Sequence, residues 1–287
     1  MADVIILGSR GQLGVELSLR IDGARQYSHQ DIDITDLKQL RLVRIDQDSL
    51  VINAAAYTNV NLAEIEQEAA WKVNANASAN LAIWTQEAGA RLINISTDYV
   101  FNKDYRDSGK YGGILSSETP NPISTYGISK AAGELATTLN PRSYNIRTTC
   151  VYGSGNNFVR TVLRLAKEAG TLKMINDQLT RPTWAGDLAE FIIALTTRGD
   201  HQFGTYHYTN SGEVVSWFEL ANYIVMQAKV EAKVLPIGTK QYIEMQADQV
   251  IAPRPKYAIL DINKESKIYD ADWKDSLRAY LKAELKK

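Results

Sequence analysis

The stretch Val4-Ile5-Ile6-Leu7-Gly8-Ser9-Arg10-Gly11-Gln12-Leu13-Gly14, near the start of the sequence, decides the fold. Its four apolar residues are typical of a buried strand, and helical periodicity begins directly after the loop. Glycine allows a tight turn close to a pyrophosphate, and a helix N-terminus offers free N–H groups to that anion. The order of strand, G-x-x-G-x-x-G and helix predicts a dinucleotide-binding loop, the alternative being a turn without a ligand. Cofactor contacts would come from Gly8, Arg10, Gly11, Gln12, Leu13 and Gly14.

Short apolar runs and helical patterns alternate along the first half of the chain. The apolar runs predict strands covered on both faces, at Val4–Leu7, Leu50–Ala54, Leu92–Ser96 and Tyr144–Thr149. Helical patterns lie between them, at Gln12–Arg20, Ala63–Gly89 with a break near Val73, and Thr125–Leu139. Strands separated by helices imply crossover connections within a parallel sheet. The predicted fold class is α/β, a Rossmann-type doubly wound parallel sheet with a smaller C-terminal α/β substrate lobe.

The second half of the chain has a less regular pattern. It predicts one strand and four helices, at Gly204–Thr209 and at Asn156–Ala169, Ala185–Thr197, Ser216–Ala228 and Trp273 to Leu285. We expect residues 1–150 to form the NAD(P)-binding domain, with later segments around 182–212 returning to it. Residues 151–287 would mainly form the substrate-binding lobe. No linker composition separates the two parts.

Composition and charge exclude several classes of protein. The chain has 287 residues, of which 45% are hydrophobic and 23% charged, and its net charge is −1. Such a balance gives no strong attraction to nucleic acid or to an anionic membrane surface. A single cysteine, Cys150, excludes a disulfide framework. Without an apolar run long enough for a bilayer or a secretory signal, we expect a cytoplasmic protein.

Residues after the second and third predicted strands are candidates for cofactor contacts. Asp33 and Ile34 lie in an acidic stretch from which a side chain could reach the adenine. That stretch could equally supply caps for the next helix, and Asp36 is well placed to do so. Ala54, Ala55 and Ala56 leave room for a flat cofactor, although small residues also allow close packing.

The position that selects between NADH and NADPH carries no acid. NAD-specific Rossmann proteins place a carboxylate about 20 residues after the first glycine, where it bonds the ribose hydroxyls. Ser28 occupies that place, and Asp22 and Asp31 lie before and after the strand. A serine hydroxyl can donate to a 2′-phosphate, and Arg10 can form a charge-assisted bond with it. The sequence therefore predicts NADPH as the preferred cofactor, unless Arg10 is only an exposed loop charge.

The segment Tyr126-Gly-Ile-Ser-Lys130 is the most specific chemical pattern. Positions i and i+4 share one face of a helix, so the two side chains lie one turn apart. The unperturbed pKa of a phenol is about 10, and an ammonium about 4 Å away would lower it by at most roughly 3 units. Tyr126 is the candidate proton donor, and Lys130 would tune it and bind the nicotinamide ribose. Thr97, at the carboxyl end of the fourth strand, is the candidate that polarises a substrate carbonyl.

The sequence resembles the extended short-chain dehydrogenases/reductases, and within them the dTDP-4-dehydrorhamnose reductases. The resemblance covers nearly the whole chain. Its most specific carriers are Ser96–Phe101 (STDYVF) and Gly155–Phe158 (GNNF). Further carriers are the glycine loop, Asn53–Thr58, Tyr126–Lys130 with Gly133 and Glu134, Val151–Gly153, Gly204–His207 and Arg254-Pro255.

The resemblance implies a function and a set of site residues. Thr97, Tyr126 and Lys130 would be the catalytic trio for reduction of a dTDP-4-keto-6-deoxyhexose by NADPH, and relatives often accept NADH too. It implies a dTDP-sugar as the small-molecule partner, and we expect a monomer or a homodimer. The implied substrate pocket consists of Thr58, Val60, Thr97, Tyr99, Cys150 and Asn157.

Two departures from the family pattern leave alternatives open. Members usually have Trp where this chain has Cys150, which raises a rival reaction that yields another sugar, such as dTDP-6-deoxy-L-talose. Some relatives hold Mg²⁺ through glutamates, but only Glu16 and Glu284 roughly match, so no metal site is predicted. A rival of another class is a non-catalytic binding protein, since the regulatory subunit of methionine adenosyltransferase resembles this fold. The complete trio argues against it.

A second anion site is a further hypothesis from the residues. Asn156 stands where a helix should begin and is a candidate N-cap. Arg160 and Arg164, one turn apart on that helix, could bind a diphosphate together with the helix N-terminus. The alternative is a solvated basic face.

Overall fold

A computed structural model of the chain describes residues 3–102, 113–198, 201–246, 248–257 and 259–285. Its centre is a six-stranded parallel sheet in the order β10-β5-β4-β3-β1-β2. These strands are β1 (Val4–Leu7), β2 (Arg25–Tyr27), β3 (Leu50–Asn53), β4 (Arg91–Thr97), β5 (Ser143–Thr148) and β10 (Gly204–His207). The order changes direction between β1 and β3, which is the arrangement of a doubly wound sheet. The predicted fold class is confirmed.

Helices cover both faces of this sheet. They are α1 (Gln12–Arg20), α2 (Leu37–Leu40), α3 (Val60–Ala63), α4 (Gln67–Trp71), α5 (Ala77–Glu87), α6 (Thr125–Thr137) and α8 (Ala185–Thr197). One core cluster packs Leu17 and Phe191 against Ile6 and Ile146, and another packs Leu81 against Ile5 and Val51. Neighbouring residues of a strand point to opposite faces, so the continuous apolar runs of β1 and β3 supply both clusters.

The predicted break near Val73 is a π-helical turn, Lys72–Asn76, between α4 and α5. Asn74, in this turn, donates its amide to Tyr57 O and Ser129 Oγ, and its Oδ1 accepts from Tyr57 N. A Cβ on Gly133 of α6 would lie 2.2 Å from Asn74 O. The turn therefore fixes α6 against the segment that follows β3.

The second lobe is built from α7 (Phe158–Ala169), α9 (Trp217–Ala228), α10 (Thr239–Met245) and α11 (Trp273–Glu284), with short two-stranded sheets. The first of these sheets pairs β7 (Thr171–Ile175) with β12 (Lys233–Ile237) in parallel. The second pairs β6 (Val151–Tyr152) with β9 (Thr183–Trp184), and the third pairs β8 (Leu179–Thr180) with β11 (Val215–Ser216). Its core contains Val162, Leu220 and Trp273. Among the described residues, no helix has the length and apolar character needed to cross a membrane.

Gly133→Ala should destabilise the protein although alanine favours a helix over glycine by about 1 kcal/mol. The new methyl group would overlap the main-chain carbonyl of Asn74, and overpacking of this kind costs about 1–3 kcal/mol. Urea unfolding measures the effect. The matched control is Gly238→Ala, whose Cβ would meet only Asp177 Oδ2 at 3.7 Å and should change stability by less than about 1 kcal/mol. Equal effects of the two changes would contradict this account of α6.

Candidate active site

A cavity of about 1060 Å³ opens at the carboxyl ends of the central strands, where open α/β sheets bind their ligands. It extends from the glycine loop, over the ends of β4 and β5, to β8 and the first residue of α9. Its wall contains the predicted site residues Gly8, Arg10, Gly11, Gln12, Leu13, Ser28, Asp33, Ile34, Ala54, Ala55, Ala56, Thr58, Val60, Thr97, Tyr99, Tyr126, Lys130 and Cys150. Gly14 and Asn157 are the predicted residues outside it.

The glycine loop has the shape that a pyrophosphate requires. Gly8 has φ +80°, and a Cβ there would lie 2.7 Å from Ala55 N. A Cβ on Gly14 would lie 2.2 Å from Gly8 O, so Gly14 allows α1 to approach the loop rather than lining the cavity. No side chain caps the N-terminus of α1. Its first N–H groups, together with the unpartnered buried Gln12 Oε1, fit the binding of a dinucleotide.

The end of β2 differs from the prediction for the ribose site. We expected no acid to be well placed there; Asp31 is outside the cavity wall, but it is bonded to Ser28, which lies in that wall. Asp31 Oδ2 accepts from Ser28 N at 2.7 Å and from Ser28 Oγ at 2.6 Å, because the chain turns back directly after β2. These bonds hold the pKa of Asp31 below its ordinary value. Arg10 donates to Gln30 Oε1, so a guanidinium and a carboxylate both lie beside Ser28.

The acidic stretch after β2 caps a helix and also reaches the cavity wall. Asp36 caps α2 by accepting from Lys38 N, as predicted. Asp33 lines the cavity, and Thr35 donates to it from both its amide and its hydroxyl. Those bonds lower the pKa of Asp33. Asp33 therefore stays charged at the cavity wall.

The helix α6 carries Tyr126 and Lys130 to the centre of the cavity. Ser124 caps this helix by accepting from Gly127 N, which sets where it begins. The Lys130 side chain is buried, and its Nζ donates to Ile95 O of β4 at 2.6 Å. Tyr126 lies beside Thr97 and meets the ring of Tyr99 edge-on at 5.6 Å. The predicted trio is thus brought together at the end of β4.

The pKa of Tyr126 does not follow the expectation that Lys130 lowers it. Burial raises the pKa of the phenol well above 10.0, and the hydrogen bond of Thr97 opposes the rise. Lys130 is not among the groups that shift it, because its ammonium is directed at Ile95 O. Burial lowers the pKa of Lys130 to about 8, with Glu134 acting in the opposite direction. The structure therefore favours a protonated phenol.

At the far end of the cavity, the residue that departs from the family pattern lies in the wall. Cys150 has φ +45°, a left-handed conformation that is rare for a residue with a side chain. Trp217, the first residue of α9, lines the same region and packs with Phe158 at 4.6 Å. Trp217 was not predicted as a site residue, since an aromatic residue at a helix start carries no signal of its own. Asp98 and Thr149 also line the cavity without having been predicted, although each lies next to a predicted residue.

The predicted diphosphate site on α7 is not formed. Asn157, not Asn156, is the N-cap: it accepts from Arg160 N and donates to Gly153 O. Arg160 pairs with Glu284, and Arg164 pairs with Glu168. Neither arginine lines the cavity, whereas Asn156 does. The polar side chain of Asn157 is thus occupied in shaping the loop rather than in a substrate contact.

The two glutamates that resemble a metal set are also occupied. Glu16 pairs with Arg20, and Glu284 pairs with Arg160. Within the described part of the chain, no group of His, Cys, Asp and Glu is arranged to hold a metal ion.

The Rossmann sheet, its glycine loop and the Tyr126/Lys130 helix define an extended short-chain dehydrogenase/reductase. Residues 1–286 match the family described as RmlD substrate binding domain. The chain is 35% identical to dTDP-4-dehydrorhamnose reductase of Aggregatibacter actinomycetemcomitans, over 97% of this chain and 98% of that protein. It therefore belongs to the dTDP-4-dehydrorhamnose reductase family, and is an NAD(P)H-dependent oxidoreductase.

The chain is also similar to a polysaccharide biosynthesis protein and to a reductase whose crystal structure contains NADP. It is 35% identical to the spore coat polysaccharide biosynthesis protein SpsK of Bacillus subtilis, over 98% of this chain and 97% of that protein. The crystal structure of dTDP-4-dehydrorhamnose reductase from Bacillus anthracis in complex with NADP has a TM-score of 0.87 and 34% identity, and covers 98% of this chain and 99% of that one. The cofactor expectation, NADPH, is confirmed.

Opposite charge changes beside Ser28 should move the preference for NADPH in opposite directions. Arg10→Ala removes the cation, and the loss of a charge-assisted bond of about 1.5–3 kcal/mol should raise KM for NADPH roughly 10- to 150-fold. Asp31→Asn removes the anion and should lower KM for NADPH. Steady-state kinetics with both cofactors measures the effect, with KM for NADH nearly unchanged by Arg10→Ala. Equal changes for the two cofactors would contradict the role given to Arg10.

Proposed function

We propose that this chain reduces the 4-keto group of dTDP-4-dehydro-L-rhamnose with NADPH and yields dTDP-L-rhamnose. One observation carries the proposal: Thr97, Tyr126 and Lys130 meet at the end of β4, in the cavity that begins at the glycine loop. A pure binding protein has no need of a proton donor, a buried ammonium and a hydroxyl at one point. The proposal places the enzyme in the cytoplasm, with the dTDP-sugar as its partner.

The chain's own residues would hold NADPH in two places. Gly8, Gly11 and the start of α1 would bind the pyrophosphate, since the glycines leave the loop without side chains. Lys130, buried beneath the cavity, would bond the nicotinamide ribose. When bound, NADPH supplies the hydride for the carbonyl carbon. The wall formed by Ala54, Ala55 and Ala56 leaves the space that the cofactor needs.

Proton transfer would be carried out by Tyr126 of α6 together with Thr97 at the end of β4. Tyr126 gives its proton to the carbonyl oxygen as hydride reaches the carbon, because the developing alkoxide is a far stronger base than a phenolate. Thr97 polarises that carbonyl through its hydroxyl. Lys130 would orient the nicotinamide ribose for this transfer, and it does not set the pKa of the phenol. The raised pKa of Tyr126 keeps the proton on the phenol until this moment.

The direct test supplies the purified chain with NADPH and dTDP-4-dehydro-L-rhamnose. Loss of the nicotinamide absorbance follows the reaction, and the configuration at C4 of the product identifies the sugar. Oxidation of NADPH with formation of dTDP-L-rhamnose supports the proposal. Absence of turnover would contradict it and would favour the non-catalytic alternative.

Cys150 favours a second candidate within the same chemistry. A small side chain in place of the family's usual Trp leaves space beside the substrate. The 4-keto sugar could then present its other face to the hydride and give dTDP-6-deoxy-L-talose, the C4 epimer, or a related dTDP-4-keto-6-deoxyhexose could bind. Trp217, in the same part of the wall, replaces some of the lost aromatic surface. The identity of the product separates the two candidates.

Tyr126→Phe should lower kcat by about 10²-fold or more, the contribution of a positioned general acid. Removal of the hydroxyl takes away the proton but leaves the ring against Tyr99, so NADPH binding should change little. Tyr242→Phe, on α10 and outside the cavity, is the matched control and should keep wild-type kinetics. Near-normal turnover by Tyr126→Phe would exclude this residue as the acid.

Cys150→Trp distinguishes the two candidate sugars. For dTDP-4-dehydro-L-rhamnose, the restored ring should pack on the sugar and lower KM. If the site is shaped for a bulkier or differently oriented sugar, the ring should overpack it and lower kcat/KM by 10-fold or more, since overpacking costs about 1–3 kcal/mol. Cys150→Ser keeps the size of the side chain and should leave KM nearly unchanged. A large loss of kcat/KM in the Trp variant alone would count against the rhamnose reaction.

A further inference from the structure

The cavity holds a buried carboxyl group that the reaction described above does not use. Asp98 directly follows Thr97 and is 6% exposed, with its side chain in the cavity wall. Its Oδ1 accepts from Thr97 Oγ1 at 3.1 Å, and its Oδ2 accepts from Thr149 Oγ1 at 2.8 Å. Both partners are hydroxyls, so the carboxyl group has hydrogen bonds but no compensating charge from them.

The surroundings of Asp98 favour its neutral form. Burial raises the pKa of its carboxyl to about 7, and the bonds from Thr149 and Thr97 limit the rise. The other ionisable groups that face it are Tyr99, Tyr126 and Cys150, and burial raises the pKa of each. No Lys or Arg of the described chain is among the groups that shift the pKa of Asp98. A group in this setting gains and loses a proton near neutral pH.

A continuous line of polar groups connects this carboxyl group to the proposed acid. Tyr126 lies beside Thr97, whose hydroxyl lowers the pKa of the phenol, and Thr97 donates to Asp98. When Asp98 is protonated, its O–H can donate to Thr97 Oγ1, and the Thr97 hydroxyl is then free to donate to Tyr126 or to the substrate. Thr97 Oγ1 also accepts from Tyr99 N at 3.2 Å, which holds the hydroxyl in place.

We propose that Asp98 is a positioning residue that stores the proton with which Tyr126 is recharged after each reduction, acting through the Thr97 hydroxyl. This inference rests on the proposed reductase function. Asp98 touches neither substrate nor cofactor in this role; its effect passes entirely through Thr97.

The proton balance of one turnover is complete. The hydride carries an electron pair to the carbonyl carbon, and the carbonyl oxygen takes the proton of Tyr126. The resulting phenolate takes the hydroxyl proton of Thr97, which in the same step takes the carboxyl proton of Asp98. NADP⁺, the alcohol and an Asp98 carboxylate remain. Water protonates that carboxylate again once product leaves the cavity, so no oxidant or further reactant is required.

The inference predicts the pH dependence of turnover. Asp98 must be protonated to act, so kcat should be constant at acidic pH and fall as pH rises through about 7. Asp98→Asn keeps the shape and removes the proton, so this fall should disappear. Its kcat should decrease by roughly 10²-fold, as for loss of a positioned acid. The first turnover uses the proton already on Tyr126, so rapid mixing should show a burst of one NADPH oxidised per enzyme.

A second variant moves the proton store without removing it. Thr149→Val deletes a hydrogen bond that lowers the pKa of Asp98. The fall in kcat should therefore shift to higher pH by about one unit, the effect of a single bond to a charged group. Asp187→Asn removes a buried acid bonded to Asn210, Ser276 and Tyr269, away from the cavity, and should leave the fall where it is.

The outcomes separate this inference from the function on which it rests. A wild-type chain that does not reduce the dTDP-sugar overturns the proposed function and the inference together. If the wild type is active, a pH profile of kcat that is unchanged in Asp98→Asn overturns the inference alone. Slow NADPH oxidation by Asp98→Asn from the first turnover also overturns it, because that result indicates a structural role for Asp98. If Asp98→Asn does not fold, an unshifted profile in Thr149→Val overturns it.

Discussion

A line of buried amides across the sheet is the interaction on which the site depends. Asn53 of β3 donates to Asn94 of β4 at 2.9 Å, and Asn94 donates to Asn145 of β5 at 3.1 Å. Asn145 continues the line to Thr137 Oγ1 of α6 at 2.7 Å. All three amides are nearly inaccessible to water, so a shift of one strand by one residue would turn its amide away and leave the others unsatisfied, at a cost of about 1–3 kcal/mol for each group. The amides therefore fix the register of the three central strands and hold α6 against them.

Catalytic geometry follows from that register. With Asn94 fixed, Thr97 stands three residues further along β4, at the edge of the sheet, opposite Thr148 of β5. The helix α6 is held at one end by Thr137 and near its middle by Ser129, which is bonded to Asn74 of the π-helical turn. Between these points the Lys130 ammonium reaches Ile95 O. A buried ion pair between Glu134 of α6 and Arg147 of β5, with N–O distances down to 2.7 Å, adds a further attachment of the helix. Together these contacts fix the position of α6 relative to the sheet, and the reaction requires that its side chains be held in one geometry.

Patterns local in sequence were predictable, and contacts between distant segments were not. Apolar runs located β1 and β3, the helix α8 was predicted at its observed limits, and the glycine spacing located the cofactor loop, because each depends on residues within one or two turns of chain. The role of Asp31 was missed, since only the turn after β2 shows that its carboxylate faces Ser28. Asn156 was chosen as the cap over Asn157, although both residue types cap helices, because helix limits are uncertain by a residue or two. The partner of Arg160 could not be read from spacing, as Glu284 lies more than one hundred residues away in sequence. The partner of Arg164 could, since Glu168 follows it at i+4 on the same helix.

The electrostatics of Tyr126 show why such distant contacts change the chemical argument. A helical i,i+4 pair suggests that Lys130 lowers the pKa of the phenol and prepares a phenolate. In the folded chain the ammonium bonds a strand carbonyl, and burial raises the pKa instead. A phenolate is what oxidation of an alcohol would need at this place, whereas reduction of a ketone needs the proton to be present when the hydride arrives. Burial supplies that condition without help from Lys130, because a site of low dielectric constant disfavours the charged form of a phenol. Burial of the phenol, rather than its lysine neighbour, thus prepares the site for reduction.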